Sequence, residues 1–443
     1  MNHLKKVDPE IAYLIKQEQK RQANTLMMIP SENSASLATQ EALSSSLGNK
    51  YSEGYPYKRY YQGQKITDEV ESLVIERAKK LFNVPYANVQ PYSGSPANLA
   101  VYVGLLKPHD KIMGLDISHG GHLTHGASAS ITSKFFQSIP YHLNTHGYID
   151  FNELEKLALK EKPQIIVAGT TAYPRILDWK RFAMIADKVN AFLLADISHV
   201  AGLIAGKAYP SPVPYVHVIM TTTHKTLRGP RGAMILVTDK GLKKDPEITS
   251  KIARAVFPGL QGGPHINTIA GIGVALREAA KKSYQTYARQ VIENAEVLAR
   301  ELTKYKFNLI SGGTDSHLIL IDLRNKNLLG NTVAEGCEAA GIILNRNGIP
   351  FDPNPPFYPS GLRLGTPGLT SRGMKQKQMA IIALCINDIV NALQETKERL
   401  GFSLDQEKKA NIRKIIVDKT PTLKEIDNTV RKLCTSFPIK KTY

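Results

Sequence analysis

Between about residue 66 and residue 325 the chain alternates helical patterns with short runs of apolar, β-branched residues, and no other feature restricts its fold as strongly. Such alternation specifies a parallel sheet covered by helices on both faces, an α/β class of domain. QIIVAG (164–169), AFLLAD (191–196), VHVIM (216–220) and AMILVT (233–238) read as strands, each bounded by polar or glycine-bearing turns. Ligands of such sheets bind beyond the C-terminal strand ends, so the chemistry is expected there.

The flanking regions read differently. Residues 1–65 combine one amphipathic helix with the irregular, tyrosine-rich stretch YSEGYPYKRYYQG (51–63), and are expected to form an arm. Residues 66–310 are the large α/β domain. From 311 to 443, shorter helices and strands and the proline-rich loop IPFDPNPPFYPSG (349–361) suggest a smaller C-terminal α+β domain. Three well-separated cysteines, Cys337, Cys385 and Cys434, suggest neither a disulfide framework nor a cysteine metal site, and suit a reducing, cytoplasmic interior. The N-terminal residues lack the apolar core of an export signal, and no apolar run approaches the roughly 20 residues of a membrane span. The formal net charge of +18 comes from lysines spread along the whole chain, without the arginine and aromatic interleaving of a nucleic-acid surface, so no nucleic-acid role is expected.

Four segments carry the chemistry. In TTTHKTLRGPRG (221–232), Lys225 follows a strand, where burial and cations such as His224, Arg228 and Arg231 would lower its pKa and fit it for a Schiff base. Taken alone, it also reads as a surface lysine. In AFLLADISHVAG (191–202), Asp196 ends an apolar strand and needs a cationic partner; a protonated pyridinium nitrogen is one, a helix-capping role another. In PYSGSPAN (91–98), Ser93, Gly94 and Ser95 open a helix and offer hydroxyl and N–H groups to a phosphate, or act as an ordinary N-cap. HGGHLTHG (119–126) sets three histidines at i, i+3 and i+6. A metal reading is weakened by the lack of an acidic ligand, and the glycines suit a backbone pressed against a flat ligand with an imidazole stacked on it.

With SEN (31–33), AGTTAYPR, FPGLQGGP, SGGTDSHL, SGLRLGTP and LCTSFP in the same order, these segments resemble the serine hydroxymethyltransferases over nearly the whole chain. The resemblance implies a fold-type I pyridoxal-phosphate transferase with a large, mostly parallel seven-stranded sheet. It would interconvert serine and tetrahydrofolate with glycine and 5,10-methylenetetrahydrofolate. By that likeness Lys225 would carry pyridoxal 5'-phosphate, Asp196 would pair with its ring nitrogen and His122 would stack on its face. Ser93, Gly94, Ser95, His224 and, from a second subunit, Gly263 would hold the phosphate. Thr171 and His199 would meet the phenolic oxygen. Arg363 would grip the substrate carboxylate in a bidentate fork, assisted by Ser31.

Tyr51, Glu53 and Tyr61 would come from the partner's arm, with Glu53 as the proton-transfer group, held protonated by its tyrosine surroundings. Thr222 and His224 complete the catalytic set. Ile117, Gly121, His122, Leu123, Asn347 and the turn Pro355, Pro356 and Phe357 would surround the folate. The likeness further implies a homodimer or a tetramer built from such dimers, and no metal. Several positions depart from the family's usual letters: Tyr57 for Gly, Gln62 for Gly, Tyr92 for His, Pro96 for Gln, Pro174 for Ser and Ser198 for Ala. Tyr57 and Pro174 keep open a folate-independent aldolase of threonine or allo-threonine, or an α-methylserine hydroxymethyltransferase. Pro96 falls in the first helical turn, where a missing N–H costs little.

Overall fold

A computed structural model describes residues 2–439. Three short strands lie in the first sixty residues: β1 (Leu26–Met27), β2 (Gly54–Tyr55) and β3 (Lys58–Arg59). Seven more follow: β4 (Tyr86–Asn88), β5 (Lys111–Leu115), β6 (Gln137–Tyr141), β7 (Ile165–Gly169), β8 (Phe192–Asp196), β9 (Val218–Thr222) and β10 (Ala233–Val237). They form one sheet in the order β4-β10-β9-β8-β7-β5-β6. Strands β5 to β9 run parallel to their neighbours among them, and only β10 is antiparallel to both strands beside it. The four apolar runs of the sequence are therefore β7 to β10.

Those runs are continuous rather than alternating because helices cover both faces. Ile166, Ala168, Leu193, Ala195 and Ile219 point into one buried cluster, while Ile165, Val167, Leu194, Val218 and Met220 point into the other. Pro96 is accommodated as expected, since the helix Gly94–Leu105 starts two residues before it. No described helix is long and apolar enough to cross a membrane.

The C-terminal region adds β11 (Asn308–Leu309), β12 (Leu318–Asp322), β13 (Ile342–Ile343), β14 (Asn345–Asn347) and β15 (Gly361–Gly365). An antiparallel sheet runs β11-β12-β15-β14, and β13 pairs in parallel with β1. Residues 26–28 thus lie inside the C-terminal core, where Leu26 and Met28 are fully buried and Gly365 donates its N–H to Met28 at 2.7 Å. The 23-residue helix Lys282–Lys304 spans both cores on one apolar stripe, Tyr284, Ala288 and Val291 facing the large sheet and Leu298 and Leu302 the C-terminal core. Truncating either leucine to alanine would cost about 2–5 kcal/mol.

The β2–β3 hairpin rests on a buried ionic platform. Arg59 donates to Asp68 at 2.9 Å and Glu71 at 2.6 Å on the helix Lys65–Phe82, and to the carbonyls of Ser52 and Gly54. Gln90 joins from beyond β4, donating to Glu71 at 2.8 Å and Gly54 at 2.9 Å. Tyr57, at the hairpin tip, has φ +64° and is exposed.

Candidate active site

Beyond the end of β9 the chain turns back on itself, with Gly229 donating to Thr223 at 2.7 Å and the Thr223 hydroxyl donating to Pro230 at 2.6 Å. A Cβ on Gly229 would lie 2.7 Å from the Thr223 carbonyl oxygen, so glycine is required there. The turn seals Lys225 to 9 % exposure. Burial lowers its amine to about 8; Asp196 opposes this, and Arg363 and Arg231 reinforce it. Two of the cations expected to act on it do not. Arg228, at φ +62°, lies instead over the Tyr287 ring at 4.9 Å, and His224 is itself neutral because burial, with Lys225 and Arg231, lowers it to about 3. Arg363, distant in sequence, takes their place.

Asp196 closes β8 near Lys225. Its Oδ2 accepts from Asn98 at 3.0 Å and meets Nε2 of His125 at 2.9 Å; its Oδ1 accepts from the Ser198 N–H at 3.1 Å and hydroxyl at 2.6 Å. Burial alone would raise this carboxyl, but the His125 hydrogen bond and charge, with His122 and Lys225, hold it well below the ordinary carboxylate range. Asp196 therefore stays anionic close to Lys225 and does not cap the next helix, whose N-cap is Val200. His125 belongs to the run that suggested a metal; it turns out to be a partner of the carboxylate. The departure Ser198 places one more hydroxyl on that group.

Ser93, Gly94 and Ser95 line the same cavity as Lys225. Ser93 precedes the helix Gly94–Leu105 with no side-chain capping bond, which leaves its hydroxyl and the helix N-terminus free. A Cβ on Gly94 would come 2.7 Å from Cγ2 of Thr222, so only glycine lets the helix approach β9 this closely. The Thr222 hydroxyl and Nδ1 of His224 are buried without hydrogen-bond partners. Unmet buried polar atoms beside a helix N-terminus are what an anionic phosphate ester would satisfy. The donors, the amine and the Asp196 carboxylate fit pyridoxal phosphate.

The remaining walls are as specific. Nδ1 of His122 accepts the Thr124 N–H at 3.2 Å, and burial, with His125, lowers its pKa to about 4. The Thr171 hydroxyl donates to Gly121 at 3.0 Å. Arg363, on β15, donates to Asn345 at 3.1 Å and to the Thr171 carbonyl at 2.6 Å. Burial lowers this guanidinium to about 10, and it has no acidic partner among the described residues. Ser31, Ser93, Ser95, Thr171, His199, Thr222, Lys225 and Arg363 all line one cavity of about 960 Å³.

Ile117, Gly121, Leu123, Asn347 and Pro356 line the outer part of the same cavity. Of the expected folate turn, Pro356 lines this cavity, while Pro355 and Phe357 lie outside its lining. Asp352 accepts from the Ser360 N–H at 2.8 Å and hydroxyl at 2.7 Å, which folds the loop so that Phe351, Asn354 and Pro359 face inward and Phe357 stays 78 % exposed.

Tyr51, Glu53, Tyr61 and Gly263 are absent from the cavity lining of their own chain. They form a separate patch. Tyr61 donates to Glu53 at 3.0 Å and Tyr51 donates at 3.4 Å, with the two rings edge to face at 5.3 Å. Gly263 lies against Tyr51, and its carbonyl accepts from the Tyr92 hydroxyl at 2.7 Å. Tyr51 is 58 % exposed and Tyr61 43 %.

A strand-end lysine facing a helix N-terminus, over a buried carboxylate in a mixed seven-stranded sheet, defines a fold-type I transferase. A family model described as serine hydroxymethyltransferase matches residues 4–386. Proteins bearing that name are 49% identical in Desulfotalea psychrophila (99% of this chain, 96% of the relative), 51% in Acidothermus cellulolyticus (92% and 94%) and 53% in Sorangium cellulosum (87% and 90%). The chain belongs to the serine hydroxymethyltransferase family, whose enzymes depend on pyridoxal phosphate.

Proposed function

We propose that this enzyme interconverts serine and tetrahydrofolate with glycine and 5,10-methylenetetrahydrofolate, using pyridoxal phosphate held on Lys225. The observation that carries the reading is the buried Arg363, without an acidic partner among the described residues, lining one cavity with a buried Lys225 whose amine is lowered to about 8. An uncompensated guanidinium in that position invites a substrate carboxylate. When bound, pyridoxal phosphate supplies the electron sink that accepts the charge left at the α-carbon.

The chain's own residues divide the remaining work. Ser93, Gly94, Ser95, Thr222 and His224 anchor the phosphate, and Asp196 keeps the ring nitrogen protonated, its anionic form secured by His125, Asn98 and Ser198. His122 covers one ring face. Arg363 with Ser31 fixes the amino acid by its carboxylate, which aims the side-chain hydroxyl outward. The folate lies between the apolar rim residues Ile117 and Leu123 and the polar Asn347, a pairing that suits a flat ring with a hydrogen-bonding edge.

Glu53 exchanges the proton on the substrate's hydroxyl oxygen, and it does so across a subunit boundary in a homodimer. That assignment is supported by its absence from the cavity of its own chain and by the exposure of the tyrosines that hold it. The cytoplasm is the compartment that suits three buried, unpaired cysteines.

The test is direct. Purified protein given pyridoxal phosphate is expected to acquire a visible absorbance band that survives dialysis, and to turn over serine far faster with tetrahydrofolate than without it. Equal rates with and without the folate would remove the one-carbon carrier from the reading.

A further inference from the structure

His317 has no part in the mechanism above. It precedes β12 directly, its ring is fully buried, and its Nε2 lies 3.1 Å from Nδ1 of His199. The contact joins the C-terminal sheet to the segment that follows β8. His199 is anchored there through its backbone, its carbonyl accepting from the Thr226 hydroxyl at 2.8 Å, and it lines the Lys225 cavity. Its ring makes no other hydrogen bond among the described residues, so Nε2 is the atom left for a ligand.

Two neutral imidazoles sharing one contact must divide the roles of donor and acceptor. Both are neutral: burial, aided by Lys225 and Arg363, lowers His317 to about 3 and His199 well below its ordinary value. If His199 donated from Nδ1, His317 would accept at Nε2 and carry its own proton on Nδ1. That atom is buried without a partner, so an N–H would be sealed away with no acceptor. In the opposite arrangement the orphan is only a lone pair, the milder fault. That arrangement leaves the His199 proton on Nε2.

We propose that His317 is a positioning residue that donates from Nε2 to Nδ1 of His199, fixing the His199 tautomer so that its Nε2–H is aimed at an anionic oxygen of the cavity's ligand. The inference rests on the pyridoxal-phosphate reading, in which that oxygen is the phenolic one. It also gives the C-terminal sheet a defined duty. Leu320 on β12 pairs with Arg363 on β15, and Arg363 in turn holds the carbonyl of Thr171. One sheet thereby places Arg363 and steadies both residues assigned to the phenolic oxygen.

The proposal is tested first without cofactor or turnover. In the full chain labelled with 15N-histidine, with His199→Asn to assign the signals, His199 is expected to be protonated at Nε2 and bare at Nδ1; a proton on Nδ1 overturns the proposal. In the holoenzyme, His317→Phe is expected to weaken cofactor retention about tenfold and shift the visible band. His317→Gln, whose amide nitrogen can donate from a similar place, should restore most of both. A His317→Phe protein with unchanged retention and spectrum overturns the proposal. If His317→Phe does not fold, the tautomer measurement on the unaltered chain still decides. A failure of the cofactor reading is recognised separately, because the unaltered protein would then show no visible band, or His199→Asn would leave the band where it was.

Discussion

The cavity around Lys225 and the patch around Glu53 belong to one chain and are built by different rules. Asp196 receives four hydrogen bonds from three residues, Asn98, His125 and Ser198, and Lys225, His122 and Arg363 are each largely buried. Glu53 is touched by two exposed phenols from its own loop. Burial sets the chemistry of the first region, where the amine of Lys225 and the imidazoles of His122 and His224 are lowered below their ordinary values. The second region holds a defined arrangement above a rigid ionic base, yet nothing in its own chain lies over it to react. The difference is that between an enclosed pocket and an exposed patch, which the proposed function assigns to a partner subunit's site.

The comparison can be broken most severely at the amine. Lys225→Ala is expected to lower turnover at least about 10³-fold and to abolish the dialysis-resistant visible band, while leaving the Glu53 patch untouched. Glu53→Gln is expected to lower kcat by about 10²–10³-fold with the cofactor band and its retention preserved, because the patch contributes proton transfer and not binding of the cofactor. Mixing the two inactive proteins under conditions that exchange subunits sharpens the point. Hybrid dimers would hold one intact site each, and the mixture should recover about a quarter of normal activity; no recovery would place both residues in the same chain's site.

The smallest effect concerns protons. Burial lowers Lys225 to about 8, whereas an exposed lysine titrates near about 10.4. Between those values the unfolded chain holds a proton that the folded, cofactor-free chain lacks, so this group makes stability rise with pH across that window. Lys225→Met should remove the increment, and the difference in unfolding free energy between the two proteins, measured by denaturant titration at several pH values, should slope accordingly. A flat difference would mean that the amine is not desolvated.

Much of this was legible before the structure. Strands β7 to β10 announced themselves because both faces of the sheet are covered, which makes their apolar runs continuous. Lys225 and Asp196 stood out because strand ends in such sheets are where polar residues become functional. What stayed hidden depends on residues far apart in sequence. The two-residue pair β1–β13 has no local periodicity to betray it, and the first 65 residues, read as one arm, divide between a strand in the C-terminal core and a hairpin on the large domain. His317 with His199, and Arg363 with Thr171, meet only after the two sheets dock. Arg228 stands apart from the lysine three residues earlier, with a left-handed backbone and its guanidinium over the Tyr287 ring, which no local pattern announces.

The pairing of β1 with β13 has a consequence for how the molecule assembles. Leu26 and Met28 leave the ribosome well before the strand and the Gly365 N–H that they need are made. Until then an apolar thread waits without its berth, and the docking that finally satisfies it is among the longest loop closures in the chain. The C-terminal sheet that bears Arg363 is thus clasped late, so a ribosome-bound chain can own a finished Lys225 cradle before it can own a grip on the amino acid.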